Sequence, residues 1–297
     1  MAPRVVGRRR ELEIVVAALA AGRHILLEGP PGTGKSTLLR AVADELGIGF
    51  EFVEGNAELT PARLVGHFDP ARVLAEGYAA EIFEDGPLVA ALRDGSLLYV
   101  EEINRIPEET LNVLITVMSE AELHVPRLGR VAAAPGFRLV AAMNPFDAVG
   151  TARISSAVYD RTCRLAMDYQ DVADETAIVA REAGEAAADH VWRDGVVDLV
   201  RRTRSHPDLR IGSSVRGAVD TVVVAARLAA LRGAPPSDRR VGLDAALVAL
   251  SGRVRVREGA GRSAEDVITE LWQAVFGGAD TGKGGAPVGA TGTSPTS

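Results

Sequence analysis

The sequence predicts an α/β core built on a parallel sheet flanked by helices, followed by a smaller all-helical domain. Three observations carry that expectation. Up to about residue 170, short apolar runs alternate with helix-period segments, the pattern of parallel strands joined by helical crossovers. From about 171 the strand-like runs stop and only helical periods remain. Between the first strand and the first long helix of the core lies a Gly- and Pro-rich stretch, "EGPPGTGKS", placed as a phosphate-binding turn requires.

The strands expected are 24–28, 50–54, 96–101, 138–143 and 162–167, each a short apolar run bounded by turn residues. Helix-like segments lie near 35–46, 86–94, 107–120 and 155–161. Two stretches do not fit the alternation. Residues 66–86 read as an irregular insertion, and "ELHVPRLGRVAA", 122–133, reads as a hairpin turning at Leu128-Gly129. The later helices are expected at 172–183, 194–204, 214–232, 243–251 and 263–276, with Ser213 or Ser214 capping the longest. The domains expected are thus 1–170, 171–276 and a Gly-, Ser-, Thr- and Pro-rich tail, 277–297, of disordered composition.

Composition narrows the classes of function. A chain of 297 residues with 47% hydrophobic and 25% charged residues has the material for a folded core. No apolar run approaches the length of a membrane helix, and "MAPRVVGRRRELE" lacks a signal-peptide core. One cysteine, Cys163, excludes an intrachain disulfide and fits a cytoplasmic location. Five scattered histidines lack zinc-ligand spacing. The net charge is −7, and neither half carries the positive excess of a non-specific nucleic-acid binder.

Residues Gly29, Pro30, Pro31, Gly32, Thr33, Gly34, Lys35 and Ser36 match G-x-x-x-x-G-K-[ST], and Thr37 follows. Glycines let the backbone wrap phosphate oxygens, and N–H groups converge on them at a helix start. Lys35 reaches the β- and γ-phosphates and the Ser36 hydroxyl ligates Mg²⁺. Lys35 is one of only two lysines beside 31 arginines, so the motif takes half the chain's supply.

"LLYVEEINRIPEETL", 97–111, closes an apolar strand on two glutamates. Carboxylates there need partners, because an ionised acid buried alone is costly. Successive side chains on a strand face opposite ways, so the two acids divide two tasks. Glu101 is assigned to the metal's coordination sphere, through water, and Glu102 to polarising the attacking water. A pair of solvated acids at a loop start is the plain alternative. After "FRLVAAM", Asn144 is an amide able to hydrogen-bond both γ-phosphate and water without adding charge; an Asn-Pro turn is its ordinary reading.

Together "GPPGTGKST", "EEINRIPEETLNVL" and "AAMNP", in that order, resemble the MoxR subfamily of the AAA+ ATPases. The resemblance spans nearly the whole chain except the tail. It implies an AAA+ P-loop core with a helical lid, ATP and Mg²⁺ as ligands, and ATP hydrolysis. Asn144 matches the family's first sensor, and Arg161, with Arg153 and Arg164 as rivals, the arginine reaching a neighbour's site. Arg216 matches the second sensor, although a cation in a helix's first turn is electrostatically disfavoured unless an anion joins it. Val6 and Gly7, in "VVGRRRELE", resemble the segment packing on adenine. The segments 66–86 and 122–133 correspond to the subfamily's insertions, expected to face a pore or client. One departure stands out: the family has Asp-Glu where this chain has Glu101-Glu102, and the added methylene moves the carboxylate about one bond length.

The resemblance further implies a ring, hexameric by expectation, a chaperone-like role on a protein client, and a von Willebrand factor A domain partner. A nucleic-acid motor or loader on the same core, and a nucleotide-gated binding module with little turnover, are the alternatives.

Overall fold

The computed structural model describes residues 5–145 and 155–277. It divides after Asp174 into two compact units.

The first unit is organised by a five-stranded parallel sheet. Helix α1 (Arg9–Ala20) leads into β1 (His24–Glu28), α2 (Lys35–Leu46) and β2 (Phe50–Glu54). Then come α3 (Pro61–Val65), β3 (Gly66–Phe68), α4 (Pro70–Glu76), β4 (Phe83–Asp85), α5 (Pro87–Asp94) and β5 (Leu97–Glu101). Next are α6 (Glu108–Glu120), β6 (Glu122–Val125), β7 (Gly129–Ala132), β8 (Arg138–Met143), α7 (Ser156–Arg161) and β9 (Thr162–Ala166). The sheet order is β2-β5-β8-β1-β9, all pairs parallel. The central strands β1, β5 and β8 are buried along nearly their whole length, whereas the edge strands β2 and β9 are mostly half-buried or exposed. That is why the first three read as unbroken apolar runs.

Alternation along each strand feeds two cores. Leu26, Leu98, Val100, Leu139 and Ala141 pack on one face with α5 and α6. Ile25, Leu27, Leu97, Tyr99, Val140 and Ala142 pack on the other with α1 and α2. Each fully buried Leu or Val contributes about 1.5–3 kcal/mol of transfer free energy. The split also fixes direction at the strand end: Glu101, two residues beyond Tyr99, shares the α2 face.

Several expectations change here. Residues 66–86 are ordered rather than irregular. Strands β3 and β4 pair antiparallel around the short helix α4, backed by Phe68 packed edge-on to Phe83 and Tyr78 at 5.0 and 5.1 Å. The hairpin turns at 126–128 rather than at Leu128-Gly129, because Val125 pairs with Gly129 and Arg127 takes the left-handed conformation. The Arg127 guanidinium stacks on the Tyr78 ring at 3.9 Å, joining the two insertions.

The second unit carries the rest of α8 (Val172–Ala183), α9 (His190–Ser205), α10 (Val215–Arg232), α11 (Arg239–Leu250) and α12 (Ala264–Phe276). Strands do not stop at 171. A small antiparallel ribbon joins β10 (Leu209–Ile211) to β11 (Arg255–Val256), pieces too short to show a period in sequence. Trp192, Trp272 and Phe276 cluster in its core, and Glu175, 2% exposed, binds Arg201 and Arg204 at 2.9 and 2.8 Å. Ser214 is the α10 cap residue but makes no side-chain cap bond; the Ser213 hydroxyl instead donates to the Ser214 carbonyl. No helix among the described residues is long and apolar enough to cross a membrane. The tail from 278 onward lies outside the described residues, as does Arg153.

Candidate functional site

The carboxyl ends of β1, β5 and β8 lie side by side, and the crevice outside such strand ends is where open α/β sheets take ligands. The loop after β1 is held tightly there. The Gly29 N–H donates to the Met143 carbonyl at 3.1 Å, and a β-carbon at Gly29 would lie 2.1 Å from the Met167 carbonyl oxygen, so only glycine fits. Gly34, at φ 83°, turns the chain into α2 through a conformation side chains resist. Lys35 is 8% exposed, and its ammonium donates to the carbonyls of Gly29 and Pro30, both at 2.9 Å. The Thr33 hydroxyl donates to Pro30 at 3.0 Å, tying the two ends of the loop. Thr37 is exposed on the first turn of α2.

Ser36 begins to answer what meets the first glutamate. Its hydroxyl donates to Glu101 Oε1 at 3.2 Å and lies 3.2 Å from the Tyr99 hydroxyl. Burial first raises Tyr99 beyond the ordinary phenol range, opposed by its bond to Ser36, so it stays protonated. Glu102 parts from Glu101 for a reason other than strand alternation. It has left β5 in the left-handed conformation, φ 52° and ψ 43°, starting a short 3-10 turn. A non-glycine there is strained by about 1–2 kcal/mol. Its carboxylate pairs with Arg105 at 3.1 Å. The cation that meets Glu102 is therefore one turn away in sequence.

Asn144, half-buried, directly follows Met143, the residue that accepts from the phosphate loop, so it lies beside Gly29. Arg161 ends α7; its guanidinium donates to Ser119 Oγ at 2.6 Å and the Ala157 carbonyl at 3.0 Å. Arg164 is instead bound to Glu28. Arg216 is exposed in the first turn of α10, in the second unit, and makes no ion pair among the described residues. Val6 is held through its carbonyl by the Gln170 amide, and Gly7 packs against the Asp174 carboxylate.

Three residues went unseen in the sequence. Arg8, hidden in a run of three arginines, is 9% exposed and donates to the Thr33 carbonyl at 3.1 Å and to that of Asp168, pinning the N-terminal segment to the phosphate loop. Glu28, 4% exposed, accepts from the Tyr159 hydroxyl at 2.9 Å and from Arg164. The rule that a strand-end carboxylate needs a partner applied to it as much as to Glu101. Tyr99 looked merely apolar; its hydroxyl was the signal.

Oxygen donors suit a hard divalent cation, and the Ser36 hydroxyl and Glu101 carboxylate stand in contact beside the phosphate loop. Among the described residues no three His, Cys, Asp or Glu side chains form a metal cage. Those donors fit Mg²⁺ of the kind held largely by nucleotide phosphates and water.

Sheet order, phosphate loop and acids define the class of P-loop nucleoside triphosphatases. Residues 24–162 match the AAA domain of the dynein-related subfamily. With the fold, residues 24–162 form an AAA domain of the ATP-hydrolysing AAA+ type. Among curated proteins it is 28% identical over 244 residues to the uncharacterised YeaC of Bacillus subtilis, covering 72% of each chain. It is 32% identical over 231 residues to the gas vesicle ATPase GvpN of Ancylobacter aquaticus, covering 72% of this chain but 63% of that one, under two thirds of its length. Solved structures share the fold at 19% identity. An ATPase candidate from Cytophaga hutchinsonii has a TM-score of 0.51, covering 91% and 90% of the two chains. The RuvB Holliday junction branch migration motor of Thermotoga maritima has 0.53, covering 83% and 71%.

Proposed function

We propose that this chain is a Mg²⁺- and ATP-dependent remodelling ATPase of the MoxR type, working as a hexameric ring on a protein client. The observation that carries the reading is the Ser36–Glu101 contact beside Lys35, which closes one wall of a triphosphate site. The ring, the client and the individual roles rest on the motifs' likeness to that subfamily.

In this reading the loop N–H groups from Gly29 to Ser36 bind the phosphates, and Lys35 exchanges its carbonyl partners for β- and γ-oxygens. Bound Mg²⁺ would neutralise charge on those oxygens, held by Ser36 and, through water, by Glu101. Glu102 takes the proton of the attacking water, which requires it to release Arg105. Asn144 orients that water and the γ-phosphate. Val6 and Gly7 pack on adenine. Arg161 exchanges the Ser119 hydroxyl for a neighbour's γ-phosphate, so each site is completed by the next subunit. Arg216 supplies the lid's contact to the nucleotide. Because Arg127 stacks on Tyr78, both insertions move together, with Leu74, 91% exposed, available to a client or a von Willebrand factor A partner.

The likeness to a gas vesicle ATPase supports hydrolysis as the activity. The likeness to a DNA motor is one of fold alone, and the charge of −7 disfavours a nucleic-acid substrate. One experiment tests the reading: phosphate release and ATP-dependent co-purification for the parent, Lys35→Ala and Glu102→Gln. Lys35→Ala should lose nucleotide binding. Glu102→Gln should bind ATP, release phosphate about 10²–10⁴-fold more slowly, and trap ring and client. Equal, negligible release by parent and Glu102→Gln would mean a nucleotide-gated module instead. Strong stimulation by DNA at physiological salt would point to a nucleic-acid motor.

A further inference from the structure

We propose that Tyr99 is a positioning residue of the metal site, its hydroxyl holding Ser36 so that the serine offers one lone pair to the cation. This rests on the reading of Ser36 and Glu101 given above. A serine hydroxyl has one proton and two lone pairs. The Ser36 proton goes to Glu101 Oε1 at 3.2 Å. The Tyr99 hydroxyl, 3.2 Å from Ser36 Oγ, is then the donor of that pair and takes one lone pair. A single lone pair remains.

The tyrosine is well placed for this. Tyr99 is fully buried in the middle of β5, on the face that packs against α2, and its ring leans on Phe50 and Phe52 at 6.0 and 5.7 Å. An aliphatic side chain would fill the same core without a polar group. A hydroxyl in that setting needs a partner; Ser36 Oγ stands 3.2 Å away, with the Glu101 carboxylate in reach beside it. The chain Tyr99–Ser36–Glu101 also couples its members, because each hydrogen bond polarises the next. Glu101 contributes through its length: the carboxylate reaches the serine directly, and Tyr99 holds that serine from the other side.

Tyr99→Phe deletes only the hydroxyl and keeps the ring between its neighbours, so the fold should survive. The probe is a fluorescent ATP analogue titrated with Mg²⁺, or with Mn²⁺ followed by its paramagnetic resonance, alongside the same nucleotide in EDTA. Tyr99→Phe should raise the half-saturating concentration of divalent cation about three- to tenfold, the worth of one hydrogen bond, and leave metal-free nucleotide affinity unchanged. In a Ser36→Ala background the same change should have no further effect, since the tyrosine acts through that serine. An unchanged cation requirement, or an equal loss with and without metal, overturns the proposal while leaving the nucleotide site intact. If Lys35→Ala binds the analogue as tightly as the parent, the phosphate-loop reading fails instead, and the positioning role falls with it.

Discussion

Glu28 and Arg164 form an ion pair with unequal halves: the carboxylate side chain is 5% exposed and the guanidinium 56%. The acid also accepts from the Tyr159 hydroxyl at 2.9 Å, so one strand-end carboxylate ties β1 to both α7 and β9. Its residue immediately precedes the phosphate loop.

Removing that carboxylate should therefore loosen the loop's foundation. Breaking a fully buried pair costs about 3–5 kcal/mol. Here Arg164 is largely hydrated and Tyr159 is 40% exposed, so both abandoned donors find water. Glu28→Ala should cost about 1–3 kcal/mol, and Glu28→Gln, which keeps an acceptor, less. Urea denaturation measures both. A stability equal to the parent's for Glu28→Ala would show that the pair contributes nothing.

The same pair separates two arginines that sequence left as rivals. Arg164 is bound to Glu28 of its own chain, whereas Arg161 is held by Ser119, the Ala157 carbonyl and a loose, solvent-exposed ion pair with Asp160 at 3.6 Å, contacts that cost little to leave. Arg161→Ala should lower phosphate release about 10³-fold or more without weakening nucleotide binding to the same degree. Mixing it with Lys35→Ala subunits should restore activity, since each supplies what the other lacks. Arg164→Ala should instead behave like Glu28→Ala, losing stability first. Full activity of Arg161→Ala would remove that residue from the reaction.

Glu101→Asp tests the long acid. Glutamate bonds Ser36 directly at 3.2 Å, its longer side chain carrying the carboxylate about one bond length beyond where an aspartate would hold it for the metal's water. Shortening the side chain by one methylene should draw the carboxylate back to that water and raise turnover, by no more than about tenfold, the worth of one such bond. Steady-state phosphate release decides it; an unchanged or lower rate means the methylene is not limiting.

His24 gives the fold a defined acid sensitivity. Its Nδ1 accepts from the Leu139 N–H at 2.9 Å, and burial, aided by the charge of Arg138, lowers its pKa from 6.5 to about 4. A depressed histidine is favoured neutral in the folded state. The stability it brings is complete above pH 6.5 and is lost as pH falls toward 4, because only the unfolded chain takes up the proton there. The loss should reach about 3 kcal/mol at pH 4. Melting or urea curves for the parent and His24→Phe should converge over that window. Parallel curves would exclude the histidine as the cause.

Most of the frame was legible in sequence because local rules fixed it. The buried runs 24–28 and 138–143 became β1 and β8 without change, since central parallel strands are apolar on both faces. The phosphate loop was equally plain: few residue types permit that backbone, and all of them are present. Ordering of 66–86 was not visible, because it depends on Phe68, Tyr78 and Phe83 meeting one another and on Arg127 arriving from another hairpin. The β10–β11 ribbon escaped for the same reason: each piece is stabilised by a partner more than forty residues away, and neither is long enough to show alternation.

Sequence by itself determined which chemical groups the chain owns and in what order they fall: Lys35 and Ser36 after one strand, Glu101 and Glu102 after another, Asn144 after a third. Only the tertiary structure decided what those groups touch. Ser36 meets Glu101 and Tyr99 because parallel pairing brings the ends of distant strands together over the start of α2. Glu102 turns to Arg105 because the chain leaves the sheet at that residue. Hydrogen bonds and ion pairs reach only about 3 Å, and distances that short are set by packing across the sheet, which no local pattern encodes.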